Sequence, residues 1–260
     1  MPEKINVSYT DQGKGFPVVL LHGFCETNEV WSRFAQALAK DFRVISVDLP
    51  GFGKSKILPE GFSVADAASK IIALLNEIDI QKTIVVGHSL GGYVTLAMVN
   101  HQAELFAGFG LFHSTAYADN EERKASRNKV IDFVSKNGVA AFIETFIPPL
   151  FYDKANSDIP LAVTMALKTS QDALIGYAKA MRDRPDLTSV IQKFKDPILF
   201  IAGERDTVIP ADTLQKQAKL AVKPHLHIVK DAAHMGMFEK ESETVNLTRE
   251  FLVKASTGFK

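Results

Sequence analysis

The chain has 260 residues with 30 basic and 30 acidic side chains, and 46% of its residues are hydrophobic. This balanced charge argues against a protein that grips nucleic acid or an anionic membrane surface, and the apolar content excludes a disordered chain. The single cysteine, Cys25, excludes an intrachain disulfide and a cysteine-based metal centre. No apolar run reaches membrane-span length or has the form of a signal peptide, so we expect a cytoplasmic protein.

Short apolar runs alternate with helical patterns along the chain, which is typical of a parallel sheet covered by helices. Residues 5–9 and 18–21 flank a turn-rich segment, so we predict that these two strands pair with each other. The remaining predicted strands are Phe42–Val47, Thr83–Val86, Gly108–Phe112, Pro197–Ala202 and His225–Val229. The predicted helices between and after them are Phe62–Ile78, Leu90–Asn100 and Glu241–Val253.

Residues 114–185 break this alternation, because no convincing strand pattern occurs there. Proline at positions 148 and 149 must interrupt the middle of the region, since proline lacks an N–H donor and clashes with the preceding turn. The predicted helices of this region are Asn120–Lys136, Val139–Phe146, Leu161–Lys168 and Gln171–Met181. We therefore predict a helical cap at residues 114–185, inserted between two parts of an α/β core at residues 1–113 and 186–260.

The strongest local motif is Gly-His-Ser-Leu-Gly at residues 87–91, between a predicted strand and a predicted helix. A sharp strand-to-helix turn strains its central residue and leaves room only for glycine two positions to either side. Such a turn exposes the hydroxyl of Ser89 at the carboxyl edge of the sheet, beside the N–H groups that begin the helix. We predict that Ser89 is a nucleophile.

A serine hydroxyl is a poor nucleophile until a base takes its proton, and a carboxylate must orient that base. His234 follows the last predicted strand and Asp206 follows the strand before it, so both lie at the same edge as Ser89. Glu204 competes with Asp206 for the role of the acid. The chain order serine, aspartate, histidine matches one known serine hydrolase arrangement and not the other two.

Together these motifs resemble the α/β-hydrolase superfamily in its cap-bearing form, over nearly the whole chain. The same resemblance is carried by His22-Gly23-Phe24, by residues 48–55 and by residues 203–206. One departure is Ala233, because the family usually has glycine before the late histidine.

The resemblance implies a mostly parallel sheet of the eight-stranded type with helices on both faces and an inserted helical cap. It selects Asp206 over Glu204 as the acid. It also implies an oxyanion hole made from the backbone N–H groups of Phe24 and Leu90, and two amides beside a helix N-terminus suit the negative charge of a tetrahedral intermediate.

Other polar residues near these motifs are predicted to have supporting roles. We expect His22 to fix the oxyanion loop by hydrogen bonds, His88 only to pack beside the nucleophile, and Asp48 to organise its loop. Cys25 is expected to be a small packed residue rather than a reactive thiol. The histidines have no metal-ligand spacing with carboxylates, so neither a metal nor a cofactor is expected. The candidates for a substrate pocket are His113, Phe142, Phe146, Met165 and Tyr177.

The predicted function is a serine hydrolase that cleaves carboxylic esters of small, largely apolar substrates, with no nucleic-acid or membrane partner. Hydrolysis of carbon–carbon bonds, lactones or thioesters, and a haloperoxidase-type perhydrolase reaction, use the same triad and stay open as alternatives. So does transfer of the acyl group to an alcohol or thiol. The alternative from another class is a ligand receptor that keeps the triad but turns over slowly.

Overall fold

The computed structural model of the protein describes residues 6–258. Its strands are β1 Tyr9–Gln12, β2 Pro17–Leu21, β3 Arg43–Val47, β4 Thr83–His88, β5 Phe106–Phe112, β6 Ile198–Gly203 and β7 Pro224–Val229. They form one seven-stranded sheet in the order β1-β3-β2-β4-β5-β6-β7, in which only β1 is antiparallel to its neighbour. The mostly parallel α/β fold is confirmed, with seven strands within residues 6–258 rather than the eight of the family pattern.

The first strand departs from the prediction in both position and partner. β1 begins at Tyr9, and residue 5, where the predicted strand begins, lies outside the described residues. Its partner is β3 and not β2, because β2 already pairs with β3 on one side and β4 on the other. An ion pair between Arg43 and Asp11, 2.7 Å from Nη2 to Oδ2, fixes the ends of β1 and β3 together.

Helices cover both faces of this sheet. The helices are α1 Ser32–Leu38, α2 Val64–Glu77, α3 Leu90–His101, α4 Glu121–Phe146, α5 Ile159–Ala166, α6 Gln171–Arg182, α7 Thr188–Lys193, α8 Ala211–Ala218, α9 Gly236–Glu239 and α10 Glu241–Ala255. The chain steps from β2 to β3 in one direction and from β3 to β4 and β5 in the other. Right-handed crossovers therefore place α1 on one face, where α10 packs against it, and α2 and α3 together on the other.

The start of α2 illustrates how the sequence sets a helix boundary. Ser63 is the N-cap: its hydroxyl accepts from the N–H of Asp66, and the carboxylate of Asp66 accepts from the N–H of Ser63. This capping box satisfies two N–H groups that the first helical turn leaves unpaired. The helix therefore begins just after Ser63, close to the predicted start.

Between β5 and β6 lies the helical segment, which we define as residues 114–185. It contains α4, α5 and α6 and no strand, as predicted. Gly138 breaks α4 (φ 81°, ψ 174°) between the two helices predicted separately, and α4 gives way to a short 3-10 helix at Pro148–Leu150. Within residues 6–258, none of the helices combines the length and the apolar character that crossing a membrane requires.

Candidate active site

The loops that follow β2, β4, β5, β6 and β7 meet at the carboxyl edge of the sheet, where parallel α/β folds place their functional residues. The turn after β4 has the strained geometry that the motif predicts. Ser89 adopts φ 48° and ψ −112°, and its carbonyl accepts a 2.7 Å hydrogen bond from Ser114 Oγ. A Cβ atom on Gly87 would lie 2.2 Å from the carbonyl oxygen of Gly91, and one on Gly91 would lie 2.4 Å from that of Leu21.

Asp206 and His234 are in direct contact behind this turn. His234 Nδ1 lies 2.8 Å from Asp206 Oδ2, and Oδ1 accepts from the N–H groups of Val208 and Ile209 at 2.8 and 2.9 Å. Burial would raise the pKa of Asp206, but the charge of His234 and the hydrogen bonds outweigh it and hold that pKa below its usual range. The carboxylate is therefore an ionised acceptor, and the ring of His234 uses only Nδ1 in these hydrogen bonds.

His113 does not lie where a pocket-lining residue would. Its side chain is fully buried, and Nδ1 lies 3.1 Å from the same Oδ2 of Asp206. The N–H of Gly203 points at that nitrogen from 3.2 Å. Burial lowers the pKa of His113 to about 4, so the ring is neutral at neutral pH.

A second buried carboxylate, Glu26, joins the loops around the site, and the sequence analysis missed it. Its Oε2 accepts from the N–H of Gly23 at 2.6 Å and lies 3.0 Å from His88 Nδ1. The other ring nitrogen of His88 lies 3.0 Å from the carbonyl oxygen of His234. Because both partners are acceptors, both nitrogens of His88 must carry protons, and the ring is an imidazolium.

The pKa shifts of this pair agree with that assignment. Burial would lower the pKa of His88, but the charge of Glu26 and the hydrogen bonds raise it. Burial would raise the pKa of Glu26, but the charge of His88 lowers it. The expectation that His88 only packs beside the nucleophile is wrong: it links the end of β4 to the loops after β2 and β7. No local signal in the sequence singles out Glu26, because its partner His88 is 62 positions away.

His22 and Asp48 organise the loops next to this pair, as predicted. His22 Nε2 accepts from the N–H of Leu49 at 2.9 Å, so its proton is on Nδ1, which lies 2.8 Å from the carbonyl oxygen of Gly23. Asp48 accepts from the N–H of Asn28 at 2.8 Å. With both nitrogens engaged in these contacts, the ring of His22 is not available as a base.

The predicted oxyanion residues lie on two different elements: Phe24 is in the loop after β2, and Leu90 is the first residue of α3. Among residues 6–258, no hydrogen bond engages the N–H of Phe24 or of Leu90. Unpaired buried amides are rare, because each costs the free energy of a lost hydrogen bond. Cys25, which follows Phe24 in the loop after β2, is fully buried, and burial raises the pKa of its thiol well above the usual value.

The helical segment contacts the loop after β2 through two aromatic rings and a methionine sulfur. The ring of Phe24 lies 6.5 Å from that of Phe142 and 6.0 Å from that of Phe146, and these two rings stack at 4.9 Å. The N–H of Thr27 points at the sulfur of Met165 from 3.3 Å. Three of the predicted pocket residues therefore contact the segment that follows β2, at Phe24 or Thr27.

Tyr177 lies deeper than the other predicted pocket residues. Its ring is fully buried, 4.8 Å from each of the rings of Phe52 and Phe62, and its hydroxyl has no hydrogen-bond partner in the described part of the chain. A cavity of about 840 Å³ lies between α3 and α6. None of the predicted pocket residues lines it; its polar lining includes Tyr93, Asn100, Thr115, Lys179 and Arg184.

One cluster in residues 6–258 has the spacing of a metal site, with one nitrogen or oxygen atom each from His113, Asp206 and His234 within 4.8 Å. Asp206 Oδ2 already lies within hydrogen-bond distance of Nδ1 of both rings, at 2.8 Å from His234 and 3.1 Å from His113, so the geometry favours proton transfer over metal binding. The absence of a metal and of a cofactor stays a prediction.

Comparison with known proteins agrees with the fold. The sequence profile of the alpha/beta hydrolase family matches residues 18–247. A solved structure of a thermophilic esterase from Thermogutta terrifontis is 28% identical, with a TM-score of 0.92 over 96% of this chain and 94% of that one.

Two curated relatives are similar over most of the chain. The dihydrolipoyllysine-residue acetyltransferase component of an acetoin cleaving system from Pseudomonas putida is 29% identical over 92% of this chain, which spans 64% of that relative's length. A putative carbamate hydrolase from Yersinia enterocolitica is 27% identical over 78% of this chain and 75% of its own length.

Proposed function

The chain belongs to the alpha/beta hydrolase family, and we propose that within it this protein is a serine hydrolase that cleaves carboxylic esters of small, largely apolar substrates. The observation that carries the proposal is the 2.8 Å contact between His234 and the ionised Asp206, at the sheet edge that also presents the strained Ser89. An imidazole held through Nδ1 by a carboxylate has Nε2 left to take a proton from a serine.

In the first half of the reaction, Ser89 Oγ attacks the ester carbonyl carbon and gives its proton to Nε2 of His234. The N–H groups of Phe24 and Leu90, which lack other partners in the described residues, donate to the oxyanion of the tetrahedral intermediate. The intermediate collapses as the carbon–oxygen bond to the alcohol breaks, and His234 returns the proton to the leaving alkoxide.

In the second half, water attacks the acyl-enzyme carbonyl and His234 takes one of its protons. The bond to Ser89 Oγ then breaks, the proton passes to the serine, and the carboxylic acid leaves. Asp206 keeps the imidazole in the Nδ1–H tautomer and stabilises its charged form throughout, without itself taking the proton.

We further propose that the helical segment is a cap that forms the acyl pocket with the oxyanion loop. The support is the contact of Phe142 and Phe146 with Phe24, the residue that would donate to the oxyanion. Apolar rings at this point favour a small, apolar acyl group over a charged one. The esterase that is 28% identical over 96% of the chain supports ester cleavage as the reaction.

The test is a panel of p-nitrophenyl esters of graded acyl length, assayed with the wild-type protein and with Ser89→Ala. We expect kcat to fall by about 10³-fold or more in the variant with its melting temperature preserved, because the triad acts as a unit. The wild-type protein should also react stoichiometrically with a fluorophosphonate, and Ser89→Ala should not. Near-normal ester turnover by Ser89→Ala would remove Ser89 from the mechanism.

The same panel separates the alternatives. A receptor would label with the fluorophosphonate but release one burst of p-nitrophenol and then stall. An acyltransferase, a role suggested by the printed name of the relative from Pseudomonas putida, would accelerate when an alcohol or thiol is added as the acceptor. Continuous turnover at a rate independent of added acceptor supports the hydrolase.

A further inference from the structure

We propose that His113 is a positioning residue for the reaction: as a neutral second donor to Asp206 Oδ2, it fixes the carboxylate that orients His234 and weakens its pull on that ring. This inference rests on the proposed function. It assigns a role to a buried histidine that the serine–histidine–aspartate mechanism leaves unused.

The fold holds His113 in one orientation. The residue follows β5 with φ 49°, and its N–H donates to the carbonyl oxygen of Ile201 at 2.8 Å, which ties it to β6. On the far side of the ring, Gly236 approaches so closely that a Cβ atom on it would lie 2.5 Å from Nε2 of His113. The ring is therefore clamped between the backbone of α9 and Asp206, with Nδ1 toward the carboxylate.

The contacts decide which nitrogen carries the proton. Nδ1 faces both Asp206 Oδ2 at 3.1 Å and the N–H of Gly203 at 3.2 Å, and it cannot donate to one and accept from the other at the same time. A proton on Nδ1 makes a charge-assisted bond to the carboxylate, which is about twice as strong as a neutral one. A proton on Nε2 would instead be buried without an acceptor in the described residues, and two lone pairs would face each other at 3.1 Å.

This arrangement gives every lone-pair direction of Asp206 a donor. Val208 and Ile209 occupy Oδ1, and the two histidines share Oδ2. The carboxylate cannot rotate without breaking one of these hydrogen bonds, so the ring of His234 keeps its orientation. Because the N–H of His113 polarises the same oxygen that accepts from His234, the attraction between the carboxylate and the ring of His234 is weaker than in an isolated pair.

Other titratable groups around the two rings come from several elements and stay constant in the experiment. They are His88 on β4, Glu26 after β2, Asp206 after β6 and Glu239 on α9, whose carboxylate accepts from the N–H next to His234. A change confined to His113 therefore isolates the second donor.

The experiment compares three variants by the pH profile of kcat/KM on a p-nitrophenyl ester. In His113→Leu we expect kcat to fall about tenfold and the midpoint of the acid limb to rise by about half a pH unit, since Oδ2 of Asp206 then interacts with His234 alone. His113→Asn, whose amide nitrogen occupies the place of Nδ1, should recover most of both effects. His113→Gln, whose amide nitrogen occupies the place of Nε2, should behave like His113→Leu.

The matched pair of amides keeps the test decisive even where His113→Leu does not fold. Equal midpoints for wild type, His113→Asn and His113→Gln would overturn the proposal. A loss of activity that is the same in both amides, with unchanged midpoints, would show a merely structural role and would also overturn it.

A readout without turnover separates this proposal from the proposed function. In protein labelled with 15N-histidine, the NMR signals of the His113 ring are assigned as those that disappear in His113→Asn. At pH 7 these signals should show a proton on Nδ1 and none on Nε2. The opposite tautomer would overturn the inference, even in a protein with full esterase activity. A wild-type protein that shows the expected tautomer but no ester turnover would instead sink the proposed function alone.

Discussion

The sheet edge and the helical segment differ in the interactions that build them. At the edge, buried carboxylates hold histidines and backbone N–H groups at 2.6–3.1 Å, as in Glu26 with Gly23 and Asp206 with His113. The helical segment meets that edge through aromatic rings and a methionine sulfur, in contacts such as Phe142 and Phe146 on Phe24.

This difference suggests a division of labour. Charge-assisted hydrogen bonds are directional and fix atoms within a few tenths of an ångström, which proton transfer requires. Apolar contacts are less directional and tolerate exchange of one side chain for another. The edge is therefore suited to fixed chemistry, and the helical segment to substrate selection that can vary. Three predictions test that division, beginning with the largest effect.

The largest effect is expected at the edge, from Asp206→Asn. The amide preserves shape but removes the charge and favours the wrong tautomer of His234, so we expect kcat to fall by about 10⁴-fold. The matched control is Glu204→Gln, because Glu204 is partly exposed and pairs with Arg205 at 3.3 Å rather than with a histidine. Steady-state kinetics on one ester will measure both. A large loss of kcat in Glu204→Gln together with a small loss in Asp206→Asn would mean that the acid is misassigned.

An intermediate effect is expected on stability as the pH falls. Burial lowers the pKa of His113 from 6.5 to about 4, so between these values the unfolded chain binds a proton that the folded chain does not. Stability contributed by the neutral ring is therefore complete above about pH 6.5 and lost toward pH 4, and its share of the free energy of unfolding is about 3 kcal/mol. Urea unfolding at pH 7, 5.5 and 4 measures this loss.

The control for that measurement is His113→Asn, which cannot titrate and should lose less stability over the same interval. Asp206 affects stability only at lower pH. Its pKa is depressed in the folded protein, so the unfolded chain binds a proton at this carboxyl before the folded chain does. That loss of stability begins as the pH falls below the ordinary value of 3.8. Parallel stability curves for the wild-type protein and His113→Asn between pH 7 and 4 would contradict the prediction.

The smallest effect on chemistry is expected in the helical segment. Phe142→Ala and Phe146→Ala should change the ratio of kcat/KM between long and short acyl chains by about tenfold, since each methylene in a pocket contributes about 1–3 kcal/mol of discrimination. Fluorophosphonate labelling should persist. Phe133→Ala is the matched control, because Phe133 is on the same helix but 41% exposed. Unchanged selectivity in both pocket variants would limit the helical segment to a structural role.

The sequence was most informative where the backbone constrains the residue type. The turn at Ser89 tolerates only glycine at positions 87 and 91, so the motif is visible without a structure. The alternation of strands and helices likewise predicted the order of the elements and the helical character of residues 114–185.

What the sequence did not reveal depends on contacts between distant residues. Glu26 meets His88 across 62 positions and His113 meets Asp206 across 93, and no local pattern encodes either pair. The predicted partner of β1 was wrong for the same reason. A hairpin signal is local, whereas β2 pairs with β3 and β4, which leaves only the outer edge of β3 for β1.

The same separation in the chain has a consequence for how the protein becomes active. Contacts between residues far apart in sequence close large loops, and the entropy of closure makes such contacts slow to form. The contact between His88 and the carbonyl of His234 spans 146 residues and depends on β7, which is the last strand within residues 6–258 and lies at the rim of the sheet. Much of the apolar core around Trp31 can collapse without β7, whereas the proposed triad cannot assemble before that strand docks. Activity should therefore be recovered during refolding only after β7 has docked, and a nascent chain should stay inactive until β7 and His234 have been synthesised.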